Sequence, residues 1–343
     1  FDTFPLFIEK GLKLLRNNGL WSMIVPNTLA LNVRCPNTRR VVLDHRIESV
    51  RHFNYKVFPA ATVDTEIWTI SKTPASSNQI VTVEIIDRDG TIKSFSHAQS
   101  TWMSSEYDIF NICIEPAKAN LWYHIAKKYP PLKLSAKVTQ GCKPFQAGKG
   151  KPPQTRKVVE DKPFVSQEKP SEDWRPLLAG KLISRYCIRW KENYWIKFGE
   201  WLAEPRLSAN FDASEKIVIR QTGDSLIATI DRKKFIVRDN LYTILPISNI
   251  SCRFLLGLIN SKLLNFCYSC INLERGEALA QVKATHLRKL PIRTIDFDNP
   301  DDKAKHDKMV KLVERMLDLH KKLAGAKVPA EKTRIQRHIT ATD

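Results

Sequence analysis

Asn17-Asn18-Gly19-Leu20-Trp21-Ser22-Met23-Ile24-Val25-Pro26 is the stretch from which the N-terminal architecture is read. Between an Asn-Gly stop and a proline lies a short run, apolar but for Ser22, that suits a buried strand. Upstream, Phe4, Phe7, Ile8, Leu12 and Leu15 recur near helical spacing from Thr3 to Arg16, so a helix leads into that strand. Downstream, Asn37 can cap a second helix running to His45. Glu48–Phe53 and Thr65–Ser71 read as strands on either side of a loop around Phe58. Helix and strand alternate, which is the pattern of an α/β layered sheet. Ile80–Ile86 and Thr91–Ser96, separated by Asp87-Arg88-Asp89-Gly90, read as a β-hairpin.

After a helix expected over Ala117–Tyr129 the pattern changes. Lys143–Trp174 is rich in Lys, Pro, Gly, Gln and Glu with little periodicity, and is expected to form an exposed or partly disordered loop. Strand-like runs follow at Ile183–Trp190, Lys216–Gln221, Ser225–Asp231 and Leu241–Leu245, with an apolar helix from Ser251 to Ile271 packed on them. Met309, Val313, Met316 and Leu323 mark a helix over Asp301–Ala324, Gly325 and Pro329 interrupt it, and Ala330–Ala341 completes an expected helical hairpin. Its apolar stripe, only about three heptads long, favours ordinary packing over an oligomerisation seam.

The chain has 343 residues with 55 Lys and Arg against 36 Asp and Glu, a formal net charge of +19. Its length and 43% apolar content allow two or three domains with ordinary cores. The charge favours a polyanionic partner such as nucleic acid, with a basic solvated surface as the plain alternative. No apolar run reaches transmembrane length and no leader-like segment opens the chain, so no membrane partner is expected and the cytoplasm is the expected compartment. Seven scattered cysteines fit reduced thiols rather than a disulfide framework. A chain that opens on Phe1, already at the approach to a helix, reads as a piece of a longer protein.

The first hundred or so residues resemble the C-terminal half of the catalytic domain of the amino-methylating DNA methyltransferases. Asn17–Pro26 is similar to that family's glycine-strand-proline motif, and the helix around Arg39 and Arg40 to its basic helix. Val57-Phe58-Pro59-Ala60-Ala61-Thr62-Val63-Asp64-Thr65 is similar to the motif that closes the pocket for a flipped base. Further on, Leu178–Tyr186, Glu215–Arg220, Leu258–Leu263 and Leu290-Pro291-Ile292 resemble landmarks of the TaqI-like specificity domain of type IIG restriction-modification enzymes.

The resemblance implies three parts. A partial Rossmann-like α/β methyltransferase sheet occupies residues 1–105, an α+β target-recognition domain 106–293, and a C-terminal helical hairpin 294–343. It also implies sequence-specific recognition of duplex DNA for an adenine-specific methyltransferase that uses S-adenosylmethionine (SAM), and leaves open an endonuclease upstream. Two family features are absent: no Gly-x-Gly follows an expected strand, and no Asn-Pro-Pro-Tyr tetrad occurs. By itself the chain is therefore expected to hold no SAM and to be inactive, with duplex DNA and a missing N-terminal catalytic portion as its partners. A split methyltransferase completed by a separate chain, and an RNA-binding or RNA-methylating relative, are the alternatives.

Phe58 can stack on an extruded base, offsetting an unstacking cost of a few kcal/mol with about 1–3 kcal/mol of stacking. A buried phenylalanine beside a strand is its plain reading. Lys143, Lys149, Lys151 and Arg156, with Lys157, lie among small and proline residues and are candidates for phosphate contacts, with a solvated linker as the alternative for each. Base reading asks for Arg against guanine and Asn or Gln against adenine. Arg185, Arg189, Arg220, Gln221, Lys233, Lys234, Arg275 and Lys283 are the candidates, and sequence does not separate phosphate from base contacts among them. No catalytic or metal-binding residue is expected. Cys267-Tyr268-Ser269-Cys270 lacks the second pair a zinc site needs and lies in an apolar helix, where buried thiols are the reading. Gly141–Lys151 fails the spacing of a phosphate-binding loop, and no Ser/His/Asp arrangement supports a hydrolase.

Overall fold

Phe4, Ile8 and Leu12 are the buried positions of helix α1 (Phe4–Leu14), and Pro5 is tolerated in its first turn because the missing N–H would have no helical partner. In this computed structural model, which describes residues 2–31, 35–59, 64–103, 110–247, 250–272 and 280–343, the chain turns at Asn18 (φ 62°) and enters β1 (Leu20–Pro26). Gly11 is required by packing, since a Cβ there would lie 2.3 Å from Nε1 of Trp21. β1 is half buried rather than enclosed: Trp21 and Val25 face the core, while Leu20 is 63% exposed. An apolar run does not reveal which of its faces meets water.

The first compact unit, Phe1–Tyr123, is built on one five-stranded sheet ordered β1-β3-β2-β4-β5. Its other strands are β2 (His45–Phe53), β3 (Thr65–Pro74), β4 (Ile80–Ile86) and β5 (Ile92–Ala98). β3 lies antiparallel between β1 and β2, β2 and β4 run parallel, and β4 and β5 form the expected hairpin, so the sheet is mixed. Helices α2 (Thr28–Leu31), α3 (Pro36–Leu43) and α4 (Ser100–Met103) accompany α1. Leu29, Val42, Ile47, Val50 and Trp68 lie in the core. Arg39 is wholly buried and donates Nη1 to the Leu29 carbonyl at 2.9 Å, so this member of the basic helix is a structural cation.

Helix α5 (Pro116–Lys128) leads into the second unit, His124–Asp343. Its strands are β6 (Ala136–Gln140), β7 (Val165–Ser166), β8 (Trp174–Leu178), β9 (Ile183–Ser184), β10 (Cys187–Ile188), β11 (Trp195–Lys197), β12 (Lys216–Arg220), β13 (Ala228–Asp231), β14 (Ile236–Val237) and β15 (Leu241–Pro246). An antiparallel sheet is ordered β13-β12-β15-β6, a second is ordered β14-β8-β11-β7, and β9 pairs with β10. Leu177, Ile196, Phe211, Val218, Phe235 and Leu241 fill the core of this unit.

The structure departs from the sequence expectations at several points. Lys143–Trp174 is largely exposed, as expected, but it is not only loop: it holds helix α6 (Arg156–Asp161), β7 and the buried Gln154. The Gln154 amide accepts from the Gln146 N–H at 2.9 Å and donates to the Pro144 and Trp201 carbonyls at 2.8 and 2.9 Å. Ile183–Trp190 is two short strands around Arg185 and Tyr186, the latter at φ 60°. β13 begins at Ala228 rather than Ser225. The apolar run after Ser251 is two helices, α7 (Cys252–Asn260) and α8 (Lys262–Ile271), bent by 64°. Ser261 makes the break: its hydroxyl accepts from the Leu264 amide to start α8 and donates to the Leu258 carbonyl.

Helices α9 (Ala284–Leu287), α10 (Pro300–Gly325) and α11 (Pro329–Thr342) follow. Asn299 caps α10 through the amides of Asp301 and Asp302. α10 closes on α7 at Gly257, where a Cβ would lie 2.7 Å from Sδ of Met309. Ile335 and Ile339 of α11 are buried. Among the described residues no single helix is long and apolar enough to cross a membrane.

Lys216, wholly buried in β12, reaches Asp231 of β13 at 2.5 Å and donates to the Phe211 carbonyl at 3.1 Å. Asp231 also accepts from the amides of Lys233 and Phe235 at 2.7 and 2.9 Å. Burial pushes the Lys216 ammonium down, against the pull of Asp231. Removing one partner strands the other in the interior. Lys216→Met is therefore expected to destabilise the second unit by about 3–5 kcal/mol in urea unfolding, and adding Asp231→Leu to recover part of that loss. Gln154→Ala leaves the buried Pro144 carbonyl unpaired, a cost of about 1–3 kcal/mol, and removes the part-buried bonds to the Gln146 amide and the Trp201 carbonyl. It is expected to speed amide hydrogen exchange over residues 143–155 while leaving β12 and β15 protected.

Candidate nucleic-acid interface

In the first unit, residues 54–64 join β2 to β3; residues 60–63, and so part of the motif around Phe58, lie outside the described residues. His52 and Glu66 face each other across the base of this loop. His52 Nδ1 lies 3.2 Å from one Glu66 carboxylate oxygen, and Trp68 Nε1 donates to the other at 2.8 Å. Burial raises the Glu66 carboxyl pKa, against the contacts of His52 and Trp68. Burial also opposes charge on His52, but contacts with Cys113 and Glu66 outweigh it and hold the imidazole well above the usual histidine range. Asn54 donates to the Asp87 carboxylate at 2.8 Å, and the Asp64 carbonyl accepts from the Asn27 amide at 2.9 Å, so both loop ends are tied down. Phe58 is 48% exposed on this loop and does not join the core.

In the second unit the candidates divide between two ends of the β13-β12-β15-β6 sheet. At about 3.3 Å per residue, Lys216 and Arg220 stand roughly 13 Å apart along β12. At the Lys216 end the turn after Asp231 carries exposed Lys233 and Lys234. Lys233 lies 5.5 Å over the Trp190 ring, and Lys234 takes φ 55°.

At the other end the chain leaves β12 through Arg220 and Gln221. The Gln221 N–H donates to the Asn240 carbonyl at 3.0 Å, and its own carbonyl accepts from the Val282 amide at 2.6 Å. The Gly223 N–H donates to the Ala280 carbonyl at 2.9 Å, and Thr222 bridges to Gln281. This pairing brings Gln281 and Lys283 beside Arg220 and Gln221. Arg220 donates to Thr222 Oγ1 at 3.3 Å and makes no ion pair among the described residues; its Nε is buried without a partner. Gln281 was missing from the sequence-based set. No periodicity or charge marks it, and only the pairing of residues 280–282 with the turn after β12 brings it forward.

The remaining candidates are dispersed. Lys143 stands just past β6, its ammonium held by Gln146 at 2.7 Å. Lys149, Lys151 and Arg156 are exposed; Lys151 faces Glu200 at 3.8 Å, while Lys149 and Arg156 make no ion pair among the described residues. Arg189 is exposed and likewise without an acidic partner among them. Arg185 is engaged elsewhere: its guanidinium meets both carboxylate oxygens of Asp343 and donates to the Asn260 carbonyl at 2.9 Å. A cation held this way reaches a base edge only by giving up a charge-assisted pair. Arg275 lies outside the described residues. Cys267 and Cys270 are buried thiols, and burial pushes Cys267 up to about 11.

Residues 175–292 match the TaqI-like C-terminal specificity domain, and residues 1–58 match the Eco57I restriction-modification methylase. RM.MjaORFECS2P of Methanocaldococcus jannaschii, provisionally named a type II restriction enzyme and methyltransferase, is 26% identical over 303 residues, covering 85% of this chain and 25% of the relative. Among solved structures, the type IIL restriction-modification enzyme MmeI in complex with DNA superposes with a TM-score of 0.57 at 12% identity, covering 100% of this chain and 49% of its own. A nuclease-deletion mutant of the type ISP enzyme LlaGI with a DNA substrate mimic gives 0.50 at 11%, covering 93% and 37%. At these identities the structures speak to the fold alone. The chain spans between a quarter and a half of the length of these relatives. Over residues 1–58 and 175–292 the chain is thus similar to the methylase and the specificity domain, respectively, of restriction-modification enzymes.

Proposed function

We propose that this chain reads a short sequence in duplex DNA and presents an adenine, as part of an adenine-specific, SAM-dependent methyltransferase of a type IIG restriction-modification system. The observation that carries the reading is the meeting of Arg220, Gln221, Gln281 and Lys283 at one sheet end, inside the stretch that matches a specificity domain. Guanidinium and carboxamide groups distinguish guanine and adenine edges, and backbone pairing on both sides of Gln221 fixes where they stand. Exposed Lys149, Arg156 and Arg189 suit sequence-independent phosphate contacts, in keeping with the net charge of +19. Exposed Phe58, on a loop closed by His52 and Glu66, suits stacking on an extruded base.

The residues present do not fit SAM. The glycines of the first unit are Gly11, packed on Trp21, Gly19, against the Arg16 carbonyl, and Gly90, in the β4–β5 turn. None cradles a nucleotide at the end of a strand, so in this reading the methyl donor belongs to a catalytic portion other than this chain.

The chain is expected to bind duplex DNA with log affinity falling linearly in log salt. Lys149→Ala and Arg156→Ala should each shallow that slope by about 0.9 and weaken all sequences alike. Fluorescence anisotropy over a salt series checks this; salt-independent or absent duplex binding, or tighter binding to structured RNA at matched salt, sinks the reading. In a longer protein bearing the catalytic motifs, Phe58→Ala is expected to lower methyl transfer far more than DNA binding, whereas loss of folding would return Phe58 to a structural role.

A further inference from the structure

We infer that Gln221 selects an adenine, oriented for that task by Gln281. The inference rests on the duplex-DNA reading above and names the base this site takes.

Several carboxamides gather at the end of the sheet where β12 finishes, and they differ in how they are engaged. Gln140 donates to the Asp239 carbonyl at 3.0 Å and accepts from Arg206. Asn240 accepts from the Gly180 amide at 3.1 Å. Both serve the fold. Gln221 instead donates Nε2 to Oε1 of Gln281 at 3.3 Å, in a bond exposed at the surface.

A carboxamide has two N–H donors and one carbonyl oxygen. Gln221 uses one donor on Gln281, and its side-chain oxygen accepts no hydrogen bond among the described residues. One donor beside one acceptor on a planar group is what remains. That is the complement of adenine in the major groove, which offers the N7 acceptor next to the N6 donor. Guanine offers two acceptors there, N7 and O6, so the Gln221 oxygen would face another oxygen and lose its water without gaining a partner.

The backbone makes the group a reader rather than a mobile tip. Its own N–H and carbonyl are both taken, by Asn240 and Val282, so the amide plane starts from a fixed Cα. Lys233 and Lys234, on the turn at the far end of the sheet, have only donors to offer and cannot make this pair. Arg220 beside it, with no acidic partner among the described residues, is placed to contact a neighbouring base or phosphate.

The test is selection from a randomised duplex pool by the full chain, followed by affinities for the selected site and its single-base variants at one fixed salt concentration. The wild type is expected to enrich a site in which replacing one adenine costs about tenfold or more in affinity. Gln221→Ala should enrich the same site with that position randomised and the salt slope unchanged. Gln221→Glu, nearly isosteric but acceptor-only, should turn the preference there to cytosine, whose N4 donates. It also carries the test should the alanine variant lose its thermal transition. A folded Gln221→Ala that enriches the wild-type site unchanged overturns the inference and leaves the DNA reading standing. A wild type that binds duplex DNA with no sequence preference, or not at all, overturns the reading and the inference with it.

Discussion

Lys216 and Asp231 are both sealed from water, and a charge in that position persists only if its partners are all present. Lys216 has the Asp231 carboxylate and the Phe211 carbonyl; Asp231 uses its remaining capacity on the amides of Lys233 and Phe235. The pair thereby sets the register of β12 against β13, shapes the turn that follows, and delivers Phe235 edge-on to Trp190 at 5.0 Å. From Phe235 the chain passes directly into β14, which pairs with β8 of the other sheet. A slipped register would leave a bare charge in the interior, so no partial version of this arrangement competes with it. The pair contributes specification of one structure more than net stability.

The same device recurs in the first unit at a different task. His52, Glu66 and Trp68 form a buried polar cluster across β2 and β3, at the foot of the loop that holds Phe58 outward. In both units a buried polar cluster fixes where a strand ends, and an exposed group is displayed beyond it. Display of this kind needs fixed backbone more than it needs many contacts, because a side chain can be no better placed than its Cα.

Much of the fold was legible in the sequence. The helix from Phe4, the strand before Pro26 and the β4–β5 hairpin follow from apolar spacing and turn residues, which act locally. What was not legible depends on partners distant in the chain. Lys143–Trp174 has the composition of a loop, yet it is held by partners far along the chain: Gln154 reaches the Trp201 carbonyl, the Lys143 and Lys151 amides donate to the carbonyls of Glu204 and Glu200, and β7 pairs with β11. The break in the helix after Ser251 was within reach, since Ser261 is a good N-cap, but the apolar residues on both sides masked it. Among the site residues, positive charge drew notice to Arg185, which the structure ties to Asp343, and drew none to the uncharged Gln281.

β12 joins two ends with opposite tolerances. At Lys216 almost any replacement disturbs a closed arrangement, whereas at Gln221 the backbone makes the hydrogen bonds and the side chain faces outward, so the residue there can change without troubling the core. If Gln221 reads a base as proposed, a lineage built on this strand would trade the letters it recognises while inheriting its scaffold intact. New recognition sequences would then arise by single exchanges at the open end, in proteins whose closed ends remain superposable.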